Sequence, residues 1–145
     1  FKYYGCREYG DFYAKAMSIF GKKYLERWKP DLIVPVPLHP RKKRMRGFNQ
    51  AAYLAERLSV LTGIPWNEHL VKKIRSTRSQ KKLNAIQRRQ NLKNAYQVTE
   101  KIPGFSVLVV DDVYTTGSTA DAMAMCLLEA GAEKVYFLTI CAGRA

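Results

Sequence analysis

Val107-Leu108-Val109-Val110-Asp111-Asp112-Val113-Tyr114-Thr115-Thr116-Gly117-Ser118-Thr119 carries four apolar residues into two adjacent acids and then into a loop of hydroxyls and one glycine. Ala120 to Ala130 follows with helical spacing. The apolar run lacks alternation, as a strand covered on both faces of a parallel sheet does. The loop offers backbone N–H groups, hydroxyls and a helix N-terminus, the parts of a phosphate cradle. Gly117 allows a close approach or a positive φ. The adjacent carboxylates of Asp111 and Asp112 suit the vicinal hydroxyls of a sugar, or a hydrated Mg²⁺ reached through water. The bland alternative is an acidic turn whose Ser118 or Thr119 caps the next helix.

Outward from this run, the rest of the chain reads as the remainder of one α/β domain spanning residues 1–145. Phe12, Ala16, Ile19, Phe20, Tyr24 and Trp28 recur at three- and four-residue steps, which predicts a helix over 9–28 with these aromatics in the core and Pro30 as its stop. Leu32 to Pro37 reads as a short strand, 41–46 as a basic loop, and Phe48 to Leu61 as a helix closed by Gly63. Asn49 and Gln50 read as cap residues rather than catalysts. Strands are expected at Leu70–Ile74 and Ala95–Val98 around a polar, helical 80–91, and a last buried strand at Val135–Ile140. The expected architecture is an open parallel sheet flanked by helices, with ligands gathered beyond the carboxyl ends of its strands.

Charge is concentrated rather than spread. The net charge is +13. Residues 41–46 hold Arg41, Lys42, Lys43, Arg44 and Arg46 with no acid, and residues 71–93 hold nine basic side chains with no acid. Without these 14, 11 basic residues face 12 acidic ones elsewhere. Two segments therefore carry the whole excess, and both call for a polyanion. Cys6, Cys126 and Cys141 are too scattered for a disulfide framework or a zinc site and read as small buried apolar residues. His39 and His69 read as ordinary loop residues. No apolar run reaches the ~20 residues of a membrane span, and the expected compartment is the cytoplasm.

The opening run resembles the signature of the type I phosphoribosyltransferases. That resemblance implies that Thr115, Thr116, Gly117, Ser118 and Thr119 hold the 5-phosphate of phosphoribosyl pyrophosphate (PRPP). It also implies that Asp111 and Asp112 hold the ribose and serve the catalytic centre, with Tyr114 flanking the sugar. Asp31 to Leu38, the basic run, Arg46-Gly47-Phe48-Asn49-Gln50 and the spacing of Thr77, Gln80, Leu83, Arg88 and Asn91 are similar to the ComF-type competence proteins. The likeness implies a role in the uptake and handling of single-stranded DNA, with competence proteins such as a DNA-translocating ATPase as partners. It further implies an upstream zinc module in a longer chain.

By the same resemblance, Arg41, Lys42, Lys43, Arg44 and Arg46 bind pyrophosphate, and Mg²⁺ arrives with PRPP rather than on protein ligands. The second basic segment, with Gln80, Lys81, Lys82 and Arg88, is a closing flap, a track for DNA phosphates or a solvated helix face, and the sequence leaves these open. Three functions remain at this point: a Mg²⁺-dependent pentosyl transfer, a PRPP sensor or relic whose basic surface binds single-stranded DNA, and a nucleobase-salvage transferase.

Overall fold

A computed structural model describes residues 7–75, 86–87, 94–114 and 116–143. Helices α1 (Arg7–Phe20) and α2 (Lys22–Trp28) lead to β1 (Leu32–Pro35), α3 (Pro40–Arg46) and α4 (Gln50–Thr62). A hairpin of β2 (Val71–Lys73) and β3 (Tyr96–Val98) precedes β4 (Ser106–Tyr114), α5 (Ser118–Glu129) and β5 (Lys134–Ala142).

The main sheet has the order β1-β4-β5 and is parallel throughout, with Leu32 opposite Val107 and Val107 opposite Val135. At its start, the Ser106 N–H donates to an Asp31 carboxylate oxygen at 2.8 Å, and the Asp31 N–H donates back to the Ser106 carbonyl. Successive side chains of a strand point to opposite faces, and the core divides accordingly. Ile33, Leu108 and Val110 pack with Ala14, Met17, Leu54, Ala55 and Leu58 on one side. Val34, Val107 and Val109 pack with Met123, Leu127 and the hairpin's Leu70, Val71 and Tyr96 on the other. Each fully buried Leu is worth about 1.5–3 kcal/mol. The parallel sheet flanked by helices is thus as the residue order predicts.

Several elements differ from expectation. The single helix over 9–28 is broken at Gly21, which caps α2 and stands where a Cβ would lie 2.5 Å from the Met17 carbonyl oxygen. The stripe facing the core is Gly10, Ala14, Met17, Gly21 and Leu25. The expected aromatic core is overturned: Phe12, Ile19, Phe20 and Tyr24 are exposed, Phe20 by 82%. Small side chains let α1 lie close to its neighbours, and the bulky ones recur on the opposite side. Trp28 alone of that set packs inward, stacked on Tyr136 with centroids 4.5 Å apart.

The basic loop is a helix. Pro40 sits in the first turn of α3, the His39 ring caps it by accepting from the Arg41 N–H at 3.3 Å, and Gly47 closes it in the left-handed region. Long straight-chain residues are good helix formers, and basic ones in the last turn suit the dipole. His39 is therefore a cap rather than an incidental loop residue.

The strand over 32–37 stops at Pro35, although the Val36 N–H still bonds the Val110 carbonyl. Among the described residues the short strands at 71–73 and 96–98 pair with each other, antiparallel, and not with the main sheet. Strand β4 continues through the acids to Tyr114, so Asp111 and Asp112 lie within the sheet rather than beyond it. Cys126 is half-buried, but Cys141 is exposed, against the expectation of a buried thiol. Residues 80–85 and 88–91 of the expected polar helix, and Cys6, lie outside the described residues. No helix among the described residues is long and apolar enough to cross a membrane.

Candidate functional site

The carboxyl ends of β4 and β5 and the first turn of α5 enclose a depression lined by Asp111, Thr116, Gly117, Ser118, Thr119 and Thr139, with Tyr114 at its rim. Gly117 takes φ +79 at the head of α5, and the helix opens with no side-chain cap. Capping by Ser118 or Thr119, the bland alternative, is therefore not what the loop does. The Thr116 and Ser118 hydroxyls lie 2.9 Å apart, and the Ser118 N–H donates to Thr116 Oγ1 at 3.3 Å. The N–H groups of the helix start, the dipole and clustered hydroxyls are the parts of an anion cradle.

Alternation along β4 separates the two acids. Asp111 shares its parity with Val113 and lines the depression; Asp112 is half-buried and is not part of that lining. One Asp111 oxygen accepts the Asp112 N–H at 2.8 Å, which fixes the carboxylate's orientation. Tyr114, the last residue of β4, lays its phenol over Gly117. Thr115 lies outside the described residues.

Arg41, Lys42, Lys43 and Arg44 are exposed on α3, and Arg46 is half-buried. Lys43 pairs with Glu68 at 3.1 Å, which ties α3 to the turn before the hairpin. Asn49 anchors the other end of this segment. Its Nδ2 donates to the Val36 carbonyl at 3.1 Å while its Oδ1 accepts the Ala51 N–H at 3.0 Å. Gln50 beside it is 2% exposed, and its Nε2 has no partner among the described residues.

Two residues absent from the expected site bear on it. Lys73, on β2, lies 5.7 Å from the centroid of the Tyr96 ring. Burial first, then Lys42, hold its ammonium below the usual lysine range, while Asp111 opposes them. Lys73 thus lies within electrostatic reach of both Lys42 and Asp111. Tyr96 in turn shares a hydrogen bond with the Thr119 side chain, and burial pushes its hydroxyl up to about 12. In the sequence Lys73 is one cation among nine and Tyr96 sits in a three-residue strand, so neither stands out. Gln80, Lys81, Lys82 and Arg88 lie outside the described residues.

Among the described residues no group of three or more His, Cys, Asp or Glu forms a metal cage. Adjacent carboxylates at an anion cradle suit a Mg²⁺ held mainly by substrate phosphates and water.

Comparison with known proteins gives this geometry its context. The family described as "Phosphoribosyl transferase domain" matches residues 7–145. The chain is 40% identical to DNA utilization protein YhgH of Salmonella typhi over 112 residues, 77% of this chain and 49% of that protein. It is 40% identical to Competence protein F of Haemophilus influenzae, covering 73% of this chain and 48% of the relative. With Competence protein ComFC of Bacillus subtilis it shares 33% identity, over 79% and 44% of the two chains. The chain thus spans about half the length of the curated relatives it matches.

Among solved structures, a purine phosphoribosyltransferase from Pyrococcus horikoshii aligns with TM-score 0.54 at 18% identity, covering 88% of this chain and 72% of that one. The glutamine PRPP amidotransferase of B. subtilis aligns with TM-score 0.57 at 20% identity, covering 92% and 25%. At these identities the structures establish the fold, and the named relatives bear out the likeness to competence proteins.

Proposed function

The chain belongs to the phosphoribosyl transferase domain family, and from that premise we propose that it binds PRPP with Mg²⁺ and acts in the handling of single-stranded DNA during natural competence. The observation that carries the small-ligand half is Asp111 facing the uncapped, hydroxyl-lined turn Thr116–Thr119 across one depression. In this reading the turn takes the 5-phosphate and Asp111 takes a ribose hydroxyl, while Asp112 supports it from the other side of the strand. Arg41, Lys42, Lys43, Arg44 and Arg46 take the pyrophosphate, the arginines by paired N–H donors and the lysines as point charges. Mg²⁺ supplies charge neutralisation on the pyrophosphate; the chain's own residues position the ligand and surround it with cations. The DNA half rests on the names of the relatives and on the two acid-free basic segments.

Calorimetric titration with PRPP and Mg²⁺, followed by oligonucleotides at several salt concentrations, tests both halves. Saturable PRPP binding that disappears in the double variant Asp111→Asn/Asp112→Asn is the expected result. Strong DNA binding with no PRPP binding by the unmodified chain overturns the ligand assignment. Pyrophosphate release during a screen of bases then separates a transferase from a sensor.

A further inference from the structure

A second, larger cavity of about 440 Å³ opens between the loop after β1, helix α3 and strand β2. Its walls are of two kinds. Pro37, Leu38, Val71 and Ile74 give an apolar surface, and Lys72 and Lys73 give positive charge. Among the described residues the one acid in the lining, Glu68, is paired with Lys43, so these two offset each other. Its volume falls within the ~300–1,000 Å³ range of sites for small organic ligands, and its chemistry asks for a flat apolar body joined to an anion.

We propose that this cleft holds one nucleotide of a single-stranded DNA, its base against Leu38 and Ile74 and its phosphate on Lys72 and Lys73. The proposal rests on the DNA half of the function given above and names where the strand would lie. A strand rather than a free nucleotide is favoured because further cations adjoin the lining residues in sequence: Arg41, Lys42 and Arg44, exposed on α3 with Lys43, and Arg75, exposed directly after Ile74. A single phosphate needs no such extension, whereas consecutive phosphates do. A base splayed away from its neighbours enters a cleft of this kind; a paired and stacked one does not.

Fluorescence anisotropy of a labelled oligothymidylate tests the cleft. Lys72 and Ile74 are both exposed and belong to neither the phosphate cradle nor the cluster on α3. Lys72→Glu/Ile74→Asp is expected to weaken binding by about tenfold or more, and Lys72→Ala to flatten the salt dependence by roughly one unit of slope. Lys22→Glu, the same charge change on exposed α2, is expected to leave affinity within about twofold of the unmodified chain. PRPP titration and thermal melting of each variant confirm that it folds.

Unmodified chain that binds the strand while the cleft variants bind it equally well, or while Lys22→Glu loses as much as they do, overturns the cleft and leaves the DNA reading standing. A preference for duplex, or a mononucleotide that binds as tightly as the strand, also overturns it. PRPP binding with no oligonucleotide binding at all removes the DNA half of the proposed function together with this inference.

Discussion

The phenol of Tyr114 lies across Gly117, its hydroxyl within 2.6 Å of the point where a Cβ on that glycine would stand. The same glycine holds φ +79 at the start of α5. The left-handed φ therefore disfavours a side chain at this place, and the end of the Tyr114 side chain would have to swing aside to admit one.

Gly117→Ala is accordingly expected to cost about 1–3 kcal/mol of stability and to weaken PRPP binding by distorting the cradle. Thermal melting and calorimetry read the two effects independently. An alanine variant that melts and binds like the parent would show that the turn tolerates a Cβ.

The alternation along β4 ranks the two acids. Asp111→Asn is expected to weaken PRPP binding more than Asp112→Asn, since only Asp111 lines the depression. Loss of one charge-assisted hydrogen bond corresponds to about 1.5–3 kcal/mol, or roughly 10- to 150-fold in affinity. Equal losses in the two single variants, measured by titration, would mean that the strand's two faces both reach the ligand.

Asn49→Ala removes both a helix cap and the bond to the Val36 carbonyl, each buried. The expected loss is about 1–3 kcal/mol, because the cap alone is worth about 1 and the Val36 oxygen is left without this donor. Denaturant titration measures it. Asn49→Asp keeps the cap but sets a buried carboxylate oxygen against the Val36 carbonyl, and is expected to cost at least as much.

Tyr96 gives the fold a dependence on alkaline pH. Its hydroxyl titrates at about 12 when folded, against an ordinary 10.0. The raised value means that its contribution is fully present below pH 10 and is lost as pH rises towards 12, where the unfolded chain ionises first. Two pKa units correspond to about 2–3 kcal/mol. Tyr96→Phe is expected to give up the hydrogen bond to Thr119 at neutral pH and to show a shallower decline between pH 10 and 12 than the parent. Denaturation at a series of alkaline pH values compares the two, and parallel curves would show that Tyr96 is not the group responsible.

The order of apolar and polar residues made the parallel sheet and the phosphate turn legible, because both are local: an apolar run, then acids, then a glycine where the turn takes a positive φ. The helix at 40–46 was hidden by its own charge. Its cap, His39, and its closing Gly47 flank a segment with no apolar face to betray a period. The outward-facing Phe12, Phe20 and Tyr24 misled for the opposite reason, since helical spacing says that residues share a face but not which face is covered. Gly10, Ala14 and Gly21 mark the true inner side by being small. The electrostatic influence of Lys42 and Asp111 on Lys73 is tertiary, linking three elements far apart in the chain, and no spacing rule reports it.

The register that places Leu32 beside Val107 has a consequence for how the protein comes into being. Everything that would grip an anion on the α3 side and along β2 is synthesised within the excursion between those two residues, and the acid and the cradle come only afterwards. Parallel pairing at such separation closes late and slowly. A growing chain thus displays its cations well before it owns the pocket that organises them. Cutting the excursion need not abolish the domain, since the two halves would carry matching strands and could find each other again through β1 and β4.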